Sequence, residues 1–199
     1  AGLRPAMVDL TSFAVLRAQA HRESGVLAPT AEVLVDVGAS VTNVVVHQGG
    51  VPRFVRILLM GGGDITDALV QRFGVPPEQA EEVKQRTGLA PVPGAPASSP
   101  MQRALEMTGS GFVEEVRGSL GYYAAQSGSA RIDRIVLSGG GSRLSGLAER
   151  LSAATRLPVD TARPLETLTL GRTGLTPEQL VAAEPTVTVP VGLALGMAA

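Results

Sequence analysis

The sequence predicts an α/β fold in which helices flank a mixed β-sheet. Two observations predict it. Three β-branched runs between residues 32 and 59, separated by glycine-containing turns, are typical of antiparallel strands. Residues 132–138 form a further strand-like run that leads through three glycines into a helical pattern, which is an α/β unit. Antiparallel pairs together with a parallel-type unit require a mixed sheet.

Apolar periodicity and turn residues define the remaining elements. The predicted helices and strands are, in chain order, helix 11–24, strands 32–37, 41–46 and 53–59, helices 64–73, 76–86 and 101–126, strand 132–138, helix 144–154, strand 157–161, and helices 177–183 and 191–197.

Turn chemistry justifies the boundaries in the first half of the chain. Thr11 and Ser12 are possible N-caps of the first helix, which stops at Gly25. Gly49-Gly50 suits the second hairpin turn because glycine adopts positive φ without strain. We interpret the glycines at 61–63 as a flexible connection between strand and helix.

Proline and glycine mark the boundaries in the second half. Pro76-Pro77 stands where proline is tolerated, at a helix start. Residues 89–100 contain four prolines and no charge, which predicts a loop or linker. The small residues of 191–197 predict a closely packed final helix.

Composition excludes several function classes. The chain has no cysteine, which excludes disulfides, thiolate catalysis and cysteine-ligated zinc. The 17 basic residues nearly balance 18 acidic ones and aromatic residues make up 3%, so we expect no nucleic-acid surface. The apolar runs are strand-sized or interrupted, so we expect no membrane-spanning helix. A start without methionine suggests a fragment or processed chain.

The first candidate site is the turn over residues 36–43. Small residues allow backbone N–H groups to approach phosphate oxygens, and the carboxylate of Asp36 at a strand end suits a Mg²⁺-bound water. The hydroxyls of Ser40 and Thr42 are further donors. An ordinary β-turn rich in small residues explains the same pattern, and the residues alone do not separate the two interpretations.

The second candidate site is the turn at 138–142. Glycines at a strand end, followed by a helix N-terminus, suit a base or phosphate. The spacing matches neither a Walker A loop nor a dinucleotide fingerprint, so a tight structural turn is the competing interpretation. Glu81 and Lys84 are an i,i+3 pair, typical of a solvated helix face or of a group that holds ribose hydroxyls.

Other chemistry-bearing residues fit structural roles. His21 and His47 have no metal-ligand spacing between them, and we expect both on the surface. Ser138, Ser142 and Ser145 have no histidine partner nearby in the sequence, so a Ser-His-Asp triad has no support.

Taken in order, these segments resemble the PilM type IV pilus assembly family, a relative of FtsA in the actin-like ATPase superfamily. The residues that carry the resemblance are the blocks LVDVGASVTNVVVHQGG, FVRILLMGGGDITDAL, QRFGVPPEQAEEVKQ, IDRIVLSGGGSRLSGLAERL, LPVDTARPLETL and VPVGLALGMAA. The resemblance covers nearly the whole chain and is weakest over residues 89–130.

The resemblance implies an actin-like, ribonuclease-H-like lobe that binds ATP with Mg²⁺. It makes Asp36 the residue that acts on Mg²⁺ and its water. The hairpin residues that line the phosphates would be Gly38, Ala39 and Ser40, with Thr42 as a further donor. The adenosine motif would be Gly139, Gly140 and Gly141 with Ser142, and the groups that reach the sugar or base would be Glu81 and Lys84. Val41 and Asn43 depart from the family pattern, which weighs against hydrolysis.

The resemblance also implies domains and partners. Residues 1–30 would be a connecting helix region, 31–62 and 128–199 the nucleotide-binding subdomain, and 63–127 an inserted, mostly helical subdomain. We expect the family's first lobe outside these residues, together with the contact to the cytoplasmic tail of a PilN-like membrane protein. Other pilus assembly proteins and self-association are further expected contacts, at the cytoplasmic face of the inner membrane.

Three function classes stay open on the sequence. The leading hypothesis is a nucleotide-binding scaffold that hydrolyses ATP weakly or not at all. The alternatives are an ATP-hydrolysing or sugar-kinase-like enzyme and a protein-interaction module without nucleotide.

Overall fold

A computed structural model describes residues 7–20, 30–89, 99–166 and 168–197. His21, Gly25 and most of the proline-rich segment lie outside the described residues. The helices are α1 (Thr11–Ala20), α2 (Gly62–Phe73), α3 (Pro77–Thr87), α4 (Pro100–Ala124), α5 (Leu147–Thr155) and α6 (Pro177–Met197). The strands are β1 (Ala31–Val37), β2 (Thr42–Gln48), β3 (Val51–Leu58), β4 (Ile132–Ser138) and β5 (Val159–Thr161).

The five strands form one mixed sheet in the order β3-β2-β1-β4-β5. Strand β2 pairs antiparallel with both β1 and β3, whereas β4 pairs parallel with both β1 and β5. The predicted mixed sheet is therefore confirmed. Since β1 and β4 are parallel, their carboxyl ends, at Val37 and Ser138, lie at the same edge of the sheet.

Helices cover both faces of the sheet because the central strands are apolar on both faces. Alternate side chains such as Val33, Val35 and Ile135 point to one face, where they form a core cluster with α2, α3, α4 and α5. On the opposite face, Leu34 and Val136 pack against α1, with Val189 of α6 at the edge of that cluster. This arrangement explains the near-complete burial of β1 and β2.

The carboxyl-terminal helix differs from the expectation. Residues 177–197 form one helix, with two prolines inside it, rather than two short helices. Each proline removes one N–H donor from the helix, and the Thr186 and Thr188 hydroxyls donate to carbonyls of the same helix, at Ala183 and Pro185.

Close packing also stabilises α6. A Cβ added at Gly192 would lie 1.8 Å from the Ala14 carbonyl oxygen of α1, so only glycine allows this approach. By length and composition, α6 is long and apolar enough to cross a membrane, contrary to the expectation from the interrupted apolar runs. Its contacts with α1 and β4 make it part of this domain.

Candidate functional site

Two backbone hydrogen bonds hold the β1–β2 turn against the beginning of α2. The N–H of Gly62 donates to the Gly38 carbonyl at 2.9 Å, and that of Gly63 donates to the Ala39 carbonyl at 2.7 Å. A Cβ at Gly61 would lie 2.3 Å from the Gly38 oxygen. The glycines at 61–63 therefore permit a close approach of two backbones, and the expected flexible connection was wrong.

The second glycine turn lies beside the first, at the end of β4. Gly139 adopts a positive φ of 81°, and a Cβ there would lie 2.4 Å from the carbonyl oxygen of Val37. Its N–H donates to the Pro185 carbonyl of α6 at 2.7 Å. The hydroxyl of Ser142 closes the turn on the Gly139 carbonyl at 2.7 Å. These contacts hold the turn against both β1 and α6.

The two turns and α3 border one cleft of about 650 Å³. Six of the predicted site residues line it, namely Gly38, Ala39, Glu81, Lys84, Gly140 and Gly141. A Cβ added at Gly140 would have no atom within 4 Å, so the backbone at this position faces open space. Residues of the two turns and α3 that are 42 to 103 positions apart in sequence thus meet at one surface, which favours a ligand site over two unrelated turns.

Five predicted residues lie outside the cleft lining. Ser40 is exposed at the turn, Gly139 packs against the backbone of β1, and the Ser142 hydroxyl donates to the Gly139 carbonyl. Thr42 is fully buried and its hydroxyl donates to the Met60 carbonyl at 2.9 Å, which fixes the hairpin. Asp36 lies beneath the two turns and is 6% exposed.

Asp36 belongs to a chain of buried polar side chains. Its carboxylate accepts a hydrogen bond from the Ser138 hydroxyl at 2.8 Å and another from Asn43. The hydroxyl of Ser12 on α1 donates to the Asn43 side-chain oxygen at 3.0 Å. Burial raises the pKa of Asp36, and the hydrogen bonds from Ser138 and Asn43 offset part of the rise. The network links α1 to the strand ends below the cleft.

Glu81 and Lys84 are not a solvated pair. The Lys84 ammonium lies 2.6 Å from the Glu81 carboxylate, 2.8 Å from the Gly62 carbonyl and 2.9 Å from the Thr66 hydroxyl. The Lys84 side chain is only 10% exposed, whereas that of Glu81 is 39% exposed. Burial by itself raises the pKa of Glu81, but hydrogen bonds from Lys84, Thr66 and Gln85 lower it to about 2.

The cleft lining includes residues that the sequence pattern did not assign to the site. They are Gly62, Gly63, Gln85, Arg143 and Leu144. The run of three glycines at 61–63 could have indicated Gly62 and Gly63, and the position directly after the second glycine turn could have indicated Arg143. Gln85 carried no signal, because its position depends on how α3 packs against the turns.

The other end of the sheet holds a separate polar cluster. His47 is 2% exposed, so the expected surface position was wrong. One ring nitrogen, Nδ1, accepts the Gly50 N–H at 3.3 Å, and the other lies 3.2 Å from the Glu32 carboxylate, which also pairs with Arg134. Within the described ranges, no three histidine or carboxylate side chains form a group that could hold a metal ion.

Comparisons with known proteins agree with this architecture. A chain of a solved "PilM-PilN type IV pilus biogenesis complex" has a TM-score of 0.83 and 28% identity; the match covers 98% of this chain and 54% of that one. An archaeal actin homologue, Ta0583, in complex with ADP has a TM-score of 0.54 and 20% identity, covering 98% of this chain and 57% of that one. This second likeness shows an actin-like fold.

Sequence relatives agree as well. The cell division protein FtsA of Escherichia coli is 32% identical over 80 residues, which is 40% of this chain and 17% of FtsA. The chain thus spans about half of the similar PilM chain and a smaller part of FtsA. The family model described as "Type IV pilus assembly protein PilM" matches residues 1–198. The chain therefore belongs to the PilM family of type IV pilus assembly proteins.

Proposed function

We propose that this chain is the nucleotide-binding lobe of a type IV pilus assembly scaffold and that its cleft takes Mg-ATP. The observation that supports this most strongly is the meeting of the two glycine turns with Glu81 around one cleft. Its volume lies within the usual range of small-molecule sites. The ADP complex of the archaeal actin homologue, which shares the fold, is consistent with the proposal.

The residues present suit the parts of a nucleotide. Gly140 begins a 3-10 turn over residues 140–143 and has open space where a Cβ would lie, which leaves room for an adenine ring, and Gly141 and Arg143 of that turn line the same cleft. The turn at Gly38 and Ala39 borders the same cleft. The Gly38 N–H donates within the turn to the Val41 carbonyl at 3.0 Å, so the N–H groups of Ala39 and Ser40 are the proposed phosphate donors. Glu81 has the exposed carboxylate oxygen that a sugar hydroxyl needs as acceptor.

Asp36 suits Mg²⁺ through a water rather than by direct ligation. Mg²⁺ keeps several waters and takes one or two carboxylates together with substrate phosphates. Asp36 is 6% exposed and lies below the cleft lining, so it would act on the ion through one of those waters. When bound, Mg-ATP would supply a charged phosphate tail whose metal neutralises part of its charge.

We further propose that the nucleotide acts as a conformational ligand, with hydrolysis weak or absent. Glu81 is the one carboxylate among the described cleft-lining residues. Its pKa of about 2 makes it a weak base at neutral pH, since its negative charge is already stabilised by Lys84 and Thr66. A general base for water activation therefore has no candidate in that lining.

Family membership supports a cellular setting for the scaffold. The similar PilM chain was solved in a complex with PilN, so we propose a PilN-like membrane protein as partner at the cytoplasmic face of the inner membrane. We place that contact on the part of the family's length that this chain does not match. Other pilus assembly proteins and further copies of the chain are additional proposed contacts.

A titration of Mg-ATP tests the proposed function. We expect saturable binding to the chain, with the affinity reduced about tenfold by Asp36→Asn in the presence of Mg²⁺ and little changed in its absence. Asparagine matches aspartate in size, so folding is retained better than with alanine, which would leave Ser138 and Asn43 without their acceptor. Equal Mg-ATP affinity in both proteins would contradict the role of Asp36.

A further inference from the structure

Thr66 connects the two charged residues of the cleft. It lies on the first turns of α2, is 8% exposed, and belongs to neither glycine turn. Its hydroxyl oxygen lies 2.5 Å from a carboxylate oxygen of Glu81 and 2.9 Å from the Lys84 ammonium. No feature of the sequence pattern singled it out, because its partners lie 15 and 18 residues away.

The hydrogen-bond directions follow from the number of hydrogens that each group can donate. A hydroxyl donates one hydrogen, and an ammonium donates three and accepts none. The Lys84 ammonium therefore donates to Thr66, and the Thr66 hydrogen goes to its nearest acceptor, the Oε2 atom of Glu81. The Gly62 carbonyl, at 3.4 Å, is a much more distant alternative acceptor for that hydrogen.

This arrangement uses every hydrogen of Lys84. Its three donors match three oxygens within 2.9 Å, those of Gly62, Thr66 and Glu81. Lys84 is also nearly buried. It therefore holds its neighbours in place and has no hydrogen left for a ligand.

Glu81 keeps one oxygen with capacity for a ligand. Among the described residues, the Glu81 Oε2 atom accepts hydrogen bonds from both Thr66 and Lys84, while its Oε1 atom accepts one only from the amide of Gln85, at 2.9 Å. A carboxylate oxygen accepts about two hydrogen bonds, so Oε1 has room for one more donor. Because the Glu81 side chain is 39% exposed and lines the cleft, a ligand hydroxyl has access to it.

We propose that Thr66 is a positioning residue that fixes Glu81 so that its Oε1 atom recognises a ribose hydroxyl, and that Lys84 positions Glu81 in the same way instead of contacting the nucleotide. The proposal rests on the proposed function. It assigns the cleft a preference for ribonucleotides over deoxynucleotides. The preference depends on a hydroxyl of α2 that never touches the ligand.

Binding of ATP, 2′-deoxy-ATP and 3′-deoxy-ATP to the wild-type chain, Thr66→Val and Thr66→Ser tests the proposal. Valine keeps the size of threonine and removes the hydroxyl, whereas serine keeps the hydroxyl. We expect the wild type and Thr66→Ser to bind ATP about tenfold more tightly than at least one deoxynucleotide. In Thr66→Val, we expect that difference to fall to about twofold or less.

Thr108→Val is the matched control, because the Thr108 hydroxyl donates only within α4, to the Ala104 carbonyl at 3.1 Å. It should keep the full nucleotide preference. An undiminished preference in Thr66→Val, or an equal loss in Thr66→Ser, would overturn the proposal while leaving the proposed function intact. Absence of ATP binding by the wild type would instead overturn both.

A second measurement needs no nucleotide. NMR of the Glu81 side-chain carboxyl carbon follows its titration, and we expect a pKa of about 2 in the wild type. We expect Thr66→Val to raise it and Thr66→Ser to leave it close to the wild-type value, since serine also donates to the carboxylate. The same pKa in wild type and Thr66→Val would show that the hydroxyl does not hold Glu81.

Discussion

Among single residues, Glu81 makes the stability of the chain depend on pH. Its pKa is about 2 in the folded chain, below the ordinary glutamate value of 4.5, so the unfolded chain binds more protons between these values. Stability therefore rises with pH through this window and is lost as pH falls from about 4.5 towards 2. We predict that Glu81→Gln removes this part of the dependence in urea denaturation at pH 2.5 to 7.

Asp36 provides a control of opposite sign. Burial raises its pKa above 3.8, so the folded chain binds more protons than the unfolded chain just above that pH. Its contribution to stability therefore falls as pH rises from 3.8 through the raised pKa. Asp36→Asn should remove this fall, and a pH profile of Asp36→Asn that changes in the same direction as that of Glu81→Gln would contradict the two assignments.

Substitutions at two glycines distinguish a residue needed for folding from a residue needed for ligand binding. We predict that Gly61→Ala destabilises the chain by about 1–3 kcal/mol, because a Cβ would lie 2.3 Å from the Gly38 oxygen. Gly140→Ala should unfold like the wild type and bind Mg-ATP about tenfold more weakly, since its methyl enters the cleft. Urea denaturation and titration measure both variants, and normal stability of Gly61→Ala would refute the close approach.

At the scale of elements, the local pattern predicted the strands well. Strands β1, β2 and β4 lie within two residues of their expected bounds, because β-branched runs ended by glycine are an unambiguous signal. The join of the last two helices was not predictable from local pattern, since Pro185 and Pro190 indicate an interruption. The continuity of α6 depends on packing against α1, which only the folded chain shows.

The α1–α6 contact leads to a prediction with a matched pair of helix glycines. Gly192→Ala should cost about 1–3 kcal/mol, because its Cβ would overlap the Ala14 carbonyl. Gly118→Ala, in α4 with open space around it, should instead stabilise the chain by up to about 1 kcal/mol. Thermal unfolding measures both. A Gly192→Ala protein as stable as Gly118→Ala would contradict the close contact of the two helices.

At the scale of the whole molecule, part of the site was predictable from the sequence and part depends on tertiary packing. The glycine turns were predictable because each is a continuous motif, and six of the residues assigned to the site line one cleft. The positions of Thr66 and Gln85 were not predictable, because they depend on how α2 and α3 pack. The division into subdomains at 63–127 stays a prediction.

The central claim, that the cleft takes a nucleotide, is tested most directly by a titration of the ¹⁵N-labelled chain with Mg-ADP followed by amide NMR. The account predicts saturable shifts concentrated at the cleft amides of Gly38, Ala39, Gly140 and Gly141, and much weaker shifts in Gly140→Ala. Shifts confined to the His47 end of the sheet, or none at millimolar Mg-ADP, would contradict it.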